Sequence, residues 1–300
     1  MESFDAIIVG AGPAGLSAAL ILGRCRRRVL ICDAGSPRNA ASHALHGFLS
    51  RDGIEPAELL RLAREQLKPY QTVVLRHVEI TDASSSGKGF VLTLEDNVQV
   101  RCRKLLLATG IIDHVPEIEG LEPLYGRSVF HCPYCDGWEM RDRPIAIYGR
   151  GDRGLGLALE LTQWSDDLLL CTDGPSQLSD EGLQRLARHK IQLREERIKR
   201  LEGADGALRA IVFATGAAAA RTAMFFSTGQ HQRSDLAEKL GCEITEHGCI
   251  GTGDYEATNV PGVYVAGDAS RMVQLVVVAA AEGAQAAFAI NKELLKEDLD

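Results

Sequence analysis

The sequence has no apolar run long enough to cross a bilayer. Its most apolar late stretch, Leu275 to Ala281, is far shorter than the roughly 20 residues that a membrane-spanning helix requires. The basic, apolar and small-residue order of a secretory signal is also missing, because Glu2 and Asp5 precede a short apolar stretch that Gly10 interrupts. We therefore expect a cytoplasmic protein with no membrane partner.

Positive charge and closely spaced cysteines are scarce as well. The formal net charge is −8, whereas nucleic-acid binding requires a local excess of Lys and Arg, so we expect no nucleic-acid partner. Among eight cysteines, only Cys132 and Cys135 have the two-residue spacing of redox or metal chemistry. The other six do not form the pattern of a secreted disulfide framework and are expected to be reduced packing residues.

The N-terminal segment has the pattern of a dinucleotide-binding βαβ unit. An apolar strand, Phe4 to Val9, leads into the turn Gly10-Ala11-Gly12-Pro13-Ala14-Gly15 and an apolar helix, and a second strand, Val29 to Cys32, ends at Asp33. The three glycines let the strand turn tightly, let backbone approach a pyrophosphate and let the helix pack on the strand. Asp33 is expected to accept the hydroxyls of an adenosine ribose.

An internal repeat of this unit begins at Ile145. It comprises a strand to Tyr148, the turn Gly149-Arg150-Gly151-Asp152-Arg153-Gly154, a helix to Leu161, and a strand from Leu168 to Cys171 that reaches Asp173. Between the repeats, a polar turn at 84–89 separates the β-like stretches 73–80 and 90–94, which predicts a small antiparallel insertion. The repeat predicts two nucleotide-binding domains.

The pattern predicts an α/β fold of two Rossmann-like, three-layer ββα nucleotide-binding domains, the second inserted into the first. A stretch rich in turn residues around Gly120 marks the first crossing, and the chain crosses back near Gly241. We place the first domain at 1–114 and 246–300 and the second at 115–245. In the returning segment, Asp268 follows Gly267 at a strand end beside a helix start, where it can bond the ribityl chain of a flavin.

The segment Cys132-Pro133-Tyr134-Cys135 is the main candidate for the reacting group. Two intervening residues place both sulfurs on one turn, close enough for a disulfide, and a helix N-terminus there lowers the pKa of one thiol. Asp136 follows directly and suits a general acid or base. The alternative is half of a zinc site completed by Cys242, His247 and Cys249, although that spacing fits no common structural zinc pattern.

The order of these motifs resembles that of the low-molecular-weight bacterial thioredoxin reductases, over essentially the whole chain. It runs from the Gly10 turn through Ala108-Thr109-Gly110, the Cys pair with Asp136-Gly137 and the Gly149 turn to Gly267-Asp268. The resemblance implies a homodimer whose FAD domain is split by a nicotinamide domain that carries the redox pair and rotates, so that the flavin alternately meets the nicotinamide and the pair. It also implies that Cys132 and Cys135 cycle between dithiol and disulfide, with Asp136 as the catalytic acid.

On this basis FAD is the expected cofactor, with NADH or NADPH as a further candidate. The expected FAD-binding residues are Gly10, Gly12, Pro13, Ala14, Gly15, Asp33, Thr109, Gly110, Gly267, Asp268 and Gln274. The expected nicotinamide dinucleotide residues are Gly149, Gly151, Gly154 and Asp173. No metal ligand is assigned, and the roles of His43, His46 and His131 stay open, His131 being either a second proton carrier or a surface neighbour of Cys132.

Two departures from the resemblance concern the electron donor and the direction of electron flow. The reductases have Ala in place of Gly154 and a His-Arg-Arg run where this chain reads Cys171-Thr172-Asp173-Gly174. With no cation expected there, Asp173 would repel the 2′-phosphate of NADPH, which favours NADH or no nicotinamide. Pro133-Tyr134 and Gly137-Trp138-Glu139 are more similar to the gliotoxin- and holomycin-type dithiol oxidases, which commonly have His in place of Asp136.

Three functions follow from these patterns. The first is an FAD enzyme that passes two electrons from NAD(P)H to the disulfide of a thioredoxin-like protein or small molecule through Cys132 and Cys135. The second is an oxygen-dependent oxidase that forms a disulfide in a small dithiol or a peptide. The third is a non-catalytic FAD-binding redox sensor, against which the Cys pair argues.

Overall fold

The computed structural model describes residues 1–300. The strands are β1 (Glu2–Val9), β2 (Val29–Cys32), β3 (Val73–Arg76), β4 (Ile80–Ser86), β5 (Gly89–Leu94), β6 (Gln99–Leu107), β7 (Ile111–Asp113), β8 (Val129–Phe130), β9 (Ile145–Tyr148), β10 (Leu168–Cys171), β11 (Gln192–Arg194), β12 (Ile198–Ala204), β13 (Ala207–Phe213), β14 (Ala218–Ala220), β15 (Ala223–Phe226), β16 (Gln230–Gln232) and β17 (Val263–Val265). The helices are α1 (Pro13–Arg24), α2 (Pro56–Leu67), α3 (Pro133–Asp136), α4 (Gly151–Glu160), α5 (Asp180–Arg188), α6 (Leu236–Lys239) and α7 (Val276–Leu299). Short 3-10 helices span Glu122–Leu124, Leu161–Gln163 and Asp254–Glu256.

The chain divides into two compact units, the second inserted into the first. The first unit comprises Met1–Ala40, Gly47–Ile112 and His231–Asp300, and the second comprises Ala41–His46 and Asp113–Gln230. Two-domain, inserted Rossmann-like architecture was the expectation from the repeated βαβ pattern, and the fold class is confirmed.

The first unit has three layers around a mostly parallel sheet. The parallel part of the sheet has the strand order β3, β2, β1, β6, β17. Strand β17 pairs in parallel with the last three residues of β6. The earlier part of β6 pairs antiparallel with β5, which pairs with β4 and forms the second β layer. Side chains of β1 alternate between two cores: Ala6 and Ile8 pack with α1 and α7, whereas Ile7 packs with the β4–β5 layer.

The second unit repeats this plan. Its parallel sheet has the order β11, β10, β9, β15, β8, and an antiparallel sheet of β12, β13 and β14 forms the other β layer. Along β9, Ile145 and Ile147 face the core that contains α4 and α5, whereas Ala146 faces the core of the antiparallel sheet. The alternation explains why β9 is apolar at successive positions, since both of its faces are covered.

The return to the first unit lies earlier than the sequence placed it, at 230/231 rather than 245/246. Strand β16 pairs with β7, so the two connections between the units run beside one another. Beyond them, Leu236 and Ala237 of α6 are buried in the first unit's core. This crossing carries no cluster of Gly and Pro, which is why its position is difficult to detect in the sequence.

Two local features of the fold concern a helix cap and the antiparallel insertion. Ser179 caps α5, because its side chain accepts a hydrogen bond from the amide of Gly182. The expected single strand over 73–80 is instead β3, which pairs in parallel with β2, followed by the start of β4. The antiparallel insertion therefore consists of β4 and β5, and its turn is at Gly87 rather than across 84–89.

Candidate active site

The redox candidate of the second unit is a disulfide in a single helical turn. Cys132 and Cys135 are bonded through their sulfurs, with their Cα atoms 5.3 Å apart. Cys132 precedes α3, and its carbonyl oxygen accepts hydrogen bonds from the amides of Cys135 and Asp136, each at 3.2 Å. The proline at the first helical position has no amide to satisfy, and its φ suits the turn. The sequence spacing therefore places the pair and Asp136 on one short turn.

Aromatic side chains surround this turn. Trp164 packs so closely under Gly137 that a Cβ there would lie 2.8 Å from the indole ring, which explains the glycine after Asp136. Tyr134 meets the edge of Trp164 with 5.8 Å between ring centroids. Tyr134 and Trp138 themselves are 69% and 64% exposed, and Arg141 lies over the Trp138 ring. The exposed rings of Tyr134 and Trp138 thus flank the disulfide turn, and the half-buried Trp164 packs beneath it.

Asp136 lies in an environment that favours its neutral form. Burial and, to a smaller extent, the negative charge of Glu139 raise the pKa of Asp136 to about 7, against the opposing effect of His46. Glu139 Oε1 pairs with His46 Nε2 at 3.6 Å, while its Oε2 is buried without a hydrogen-bond partner. A carboxyl group beside a disulfide that titrates near neutral pH can give and take protons in thiol exchange.

The structure brings His46 and Glu139 close to Asp136, which the sequence did not predict. His43 Nδ1 lies 3.2 Å from the carbonyl oxygen of Gly126, and His46 contacts Glu139. His131 Nδ1 lies 3.3 Å from the Tyr125 hydroxyl, and its Nε2 lies 3.9 Å from Asp113. The pairing of His46 with Glu139 joins residues with no characteristic spacing, so no sequence signal could have found it.

The first glycine turn has the geometry that a dinucleotide requires. A Cβ on Gly10 would lie 2.2 Å from the carbonyl oxygen of Ala108, and one on Gly15 would lie 1.9 Å from that of Gly10. Glycine is therefore required at both positions, because the backbone approaches too closely for any side chain. The same contact places the Ala108-Thr109-Gly110 segment beside the turn. No atom lies within 4 Å of the position that a Cβ on Gly12 would take, so open space faces the middle glycine.

Asp33 stands at the end of β2 as predicted, and it is only 8% exposed. Its Oδ1 accepts a hydrogen bond from the amide of Gly35 at 2.9 Å, and its Oδ2 pairs with Arg64 at 2.8 Å. The Arg64 contact, from α2, was not predicted. The Gly35 amide thus fixes one carboxylate oxygen of Asp33. Asp33 and Arg64 together lie at the end of β2, which is where such folds bind an adenosine ribose.

The Gly267-Asp268 turn is fixed by a buried ionic cluster that the sequence did not reveal. Glu282 of α7 accepts a hydrogen bond from the amide of Gly267 at 2.8 Å and pairs with Arg271 at 2.7 Å. Arg271 also pairs with Glu256 at 2.5 Å. Burial raises the pKa of both glutamates, and Arg271 opposes that effect. Removing the arginine would leave two buried carboxyl groups without their cation.

Asp268 and Gln274 converge on one cation. Nη1 of Arg38 donates to Asp268 Oδ2 and to Gln274 Oε1, each at 2.8 Å. Helix α7 begins at Val276, several residues after Asp268, and it has no side-chain cap. The expected FAD residues of the first unit therefore fit a dinucleotide with a polar chain: an open glycine turn, an acidic group at β2 and polar side chains before α7.

Replacing Gly12 separates the fold from cofactor binding. We expect Gly12→Val to fold, because its φ of −76° is accessible to any residue and no atom obstructs the new side chain. The valine would fill the space needed by a pyrophosphate, so we expect FAD affinity to fall at least about tenfold. Flavin absorbance per chain after dialysis and the melting temperature of the apoprotein are the measurements. Gly156→Val, at another open and exposed glycine, is the control.

A melting temperature lowered in Gly12→Val but not in Gly156→Val, both measured without FAD, would contradict this interpretation. So would full retention of flavin by the Gly12 variant.

The second glycine turn differs from the expectation at one point. The prediction that no cation lies near Asp173 is wrong, because Arg150 of the same turn reaches over the end of β10. Its Nε donates to the carbonyl oxygen of Thr172 at 2.5 Å, and its Nη2 lies 3.7 Å from Asp173 Oδ2. The glycine at 154 is needed for packing, since a Cβ there would lie 2.6 Å from the carbonyl carbon of Gly149.

The zinc alternative finds no support in the arrangement of side chains. No three His, Cys, Asp or Glu residues are grouped so that they could hold a metal ion. Cys242 is buried beside Thr258, whereas His247 is exposed beside Glu246.

None of the helices combines the length and apolar character required to span a membrane.

Known proteins resemble this chain in sequence and in structure over nearly its whole length. Residues 4–283 match the family model described as pyridine nucleotide-disulphide oxidoreductase. The thioredoxin reductase tcpT of Claviceps purpurea is 32% identical over 304 residues, covering 98% of this chain and 95% of that protein. The solved structure of HlmI is 37% identical, with a TM-score of 0.95 over 99% of this chain and 94% of that one. A putative thioredoxin reductase, TrxB, of Bacillus anthracis is 31% identical, with a TM-score of 0.92 over 98% and 99%.

Proposed function

The chain belongs to the pyridine nucleotide-disulphide oxidoreductase family, and we propose that it moves two electrons between FAD and a substrate disulfide or dithiol through Cys132 and Cys135. Members of this family use FAD and NAD(P)H, and the thioredoxin reductases among them are FAD-dependent disulfide oxidoreductases. The resemblance to the thioredoxin reductases is thereby confirmed. The observation that carries the proposal is the disulfide of Cys132 and Cys135 on one turn with Asp136.

The chain's own residues perform thiol–disulfide exchange with proton transfer. A substrate thiolate attacks one sulfur of the Cys132–Cys135 disulfide, the S–S bond breaks, and the second cysteine leaves as a thiolate. The second substrate sulfur then attacks the mixed disulfide, which yields a substrate disulfide and two protein thiols. Asp136 holds the proton that a leaving thiolate needs and takes one from an attacking thiol. The reverse sequence reduces a substrate disulfide.

FAD, when bound, supplies the two-electron donor and acceptor for this exchange. We propose that the Gly10 to Gly15 turn holds its pyrophosphate and Asp33 its ribose. Thr109, Gly110, Gly267, Asp268 and Gln274 are proposed to bind the remainder. Arg38 is added to this set because it holds both Asp268 and Gln274. As in the family that the sequence resembles, a homodimer is proposed as the working assembly.

A second candidate is the oxidation of a small dithiol. It is favoured by the Pro133-Tyr134 pair between the cysteines and by the exposed Tyr134 and Trp138 beside the disulfide. Aromatic side chains bind small apolar or planar groups through stacking and burial. If electrons instead flow from the flavin to a substrate disulfide, a thioredoxin-like protein would be the partner. The compound that reduces the flavin therefore distinguishes the two functions.

Anaerobic reduction of the flavin tests the proposal. We expect a small dithiol such as dithiothreitol to bleach the bound flavin, because electrons enter through the disulfide. NADH and NADPH are added separately to identify any nicotinamide donor. Oxygen uptake after dithiol addition then distinguishes an oxidase, which turns over, from a sensor, which is bleached once. Failure of all three reductants to bleach the flavin would eliminate the enzyme and leave only a binding role.

A further inference from the structure

The second glycine turn differs from the first in what lies against its middle glycine. The amide of Gly151 donates a hydrogen bond to the carbonyl oxygen of Ser176 at 2.8 Å. The carbonyl oxygen of Gln177 lies 3.9 Å from the position that a Cβ on Gly151 would take. At Gly12, the matching position has open space. We infer that residues 172–177, which we call the covering segment, close this turn together with Arg150 and exclude a nicotinamide dinucleotide from it.

The covering segment is held in place by several hydrogen bonds. Glu195 accepts from the amide of Ser176 through Oε1 at 2.7 Å, and its backbone oxygen accepts from the amide of Gly174 at 2.8 Å. Thr172, almost fully buried, donates through its hydroxyl to the carbonyl oxygen of Gly174 at 2.6 Å. The segment is therefore attached both to the glycine turn and to the residue that follows β11.

The acid expected to bind a ribose is used within the chain. Asp173 Oδ1 accepts a hydrogen bond from the amide of Ile198 at 2.7 Å, which directs the carboxylate towards the start of β12. Arg150 donates to the backbone oxygens of Thr172 and Asp173 and lies beside the Asp173 carboxylate. A Cβ on Gly174 would lie 3.1 Å from the Arg150 guanidinium. Arg150 thus covers the strand end where a ribose would be held.

Charge adds to this obstruction. A pyrophosphate binds at such a turn because backbone amides and the positive end of the helix dipole face it. Here the Gly151 amide is already paired, and carbonyl oxygens of Ser176 and Gln177 face the turn with partial negative charge. A dinucleotide would have to displace the covering segment. The family's second nucleotide site is therefore not matched by these residues, although the unit keeps the fold that presents Cys132 and Cys135.

Calorimetric titration of the FAD-loaded protein with NAD⁺ and NADP⁺ tests the inference without electron transfer. We expect the wild type to bind both more weakly than about 0.1 mM. The double variant Arg150→Ala and Glu195→Ala releases the covering segment, and we expect it to bind at least about tenfold more tightly. Arg188→Ala, an exposed arginine in the last turn of α5, is the matched control and should behave as the wild type.

Three results decide the matter. Tight binding by the wild type overturns the inference, and so does a double variant that folds, retains FAD and gains no affinity. A gain confined to the double variant supports it. If that variant does not fold, the single variant Arg150→Ala replaces it, because it removes the side chain that covers the strand end and leaves the Glu195 contacts in place, and the same gain or absence of gain applies. Dithiol bleaching in the same samples tests the proposed function separately, since exchange through Cys132 and Cys135 does not require this turn.

Discussion

Replacing Cys135 with serine is expected to abolish exchange with dithiols and disulfides while the bound flavin is retained. Serine cannot form a disulfide with Cys132. The turn then has no S–S bond in which one sulfur is attacked while the other leaves as a thiolate. We expect the rate of anaerobic flavin bleaching by dithiothreitol to fall at least roughly 10⁴-fold, since removal of a reacting nucleophile can lower a rate by about 10⁶-fold. Stopped-flow absorbance measures the rate, and the flavin content per chain verifies that the cofactor site is intact.

The matched control uses a cysteine outside the site. Cys25 is free and exposed, and Cys25→Ser makes the same chemical change without touching the disulfide turn. It should bleach at the wild-type rate. Cys132→Ser should match Cys135→Ser, because either change removes the disulfide. Bleaching of Cys135→Ser at the wild-type rate would remove the pair from the mechanism and refute the proposed function.

Replacing Asp136 with asparagine is expected to slow the same reaction by about 10²-fold or more at neutral pH, the usual contribution of a positioned acid or base. The ratio of wild-type to variant rates isolates this group, because titration of the substrate thiol affects both rates equally. With the pKa of Asp136 raised to about 7 by burial, the carboxyl is protonated below that pH and cannot take a proton from an attacking thiol. The ratio should therefore rise from pH 5 to pH 9 with its midpoint at about 7.

Asp142→Asn provides the control for this pH profile. Asp142 follows the disulfide turn, is exposed, and has a φ of 59°, which asparagine adopts readily. Its rate ratio to the wild type should be near one and independent of pH. A pH-independent ratio for Asp136→Asn would show that the carboxyl acts through structure alone, and an unchanged rate would exclude it from the reaction.

The parts of the site that the sequence predicted are those whose physics is local. Gly10 and Gly15 are needed because backbone atoms approach within distances that exclude any Cβ, and that requirement appears at a fixed spacing along the chain. The same holds for Cys132 and Cys135, whose separation matches one helical turn. Local constraints of this kind also located β2, β9 and β10 at their observed bounds.

The parts that the sequence did not predict depend on residues distant in the chain. Arg38 meets Asp268 and Gln274, and Arg271 meets Glu282, through contacts that no spacing rule describes. The division between the units at 230/231 is also difficult to predict, because the polar strand β16 at that point is recognised only through its pairing with β7.

The two glycine turns, the Cys132–Cys135 pair and the order of the two units were thus determined by the sequence itself, since each depends on backbone geometry within a few residues. Whether each turn is open or closed was decided only by tertiary structure. Gly12 and Gly151 occupy the same place in the same motif, yet one faces open space and the other donates its amide to Ser176. A glycine motif specifies how the backbone bends, whereas the segment that packs against the bend specifies what can bind there.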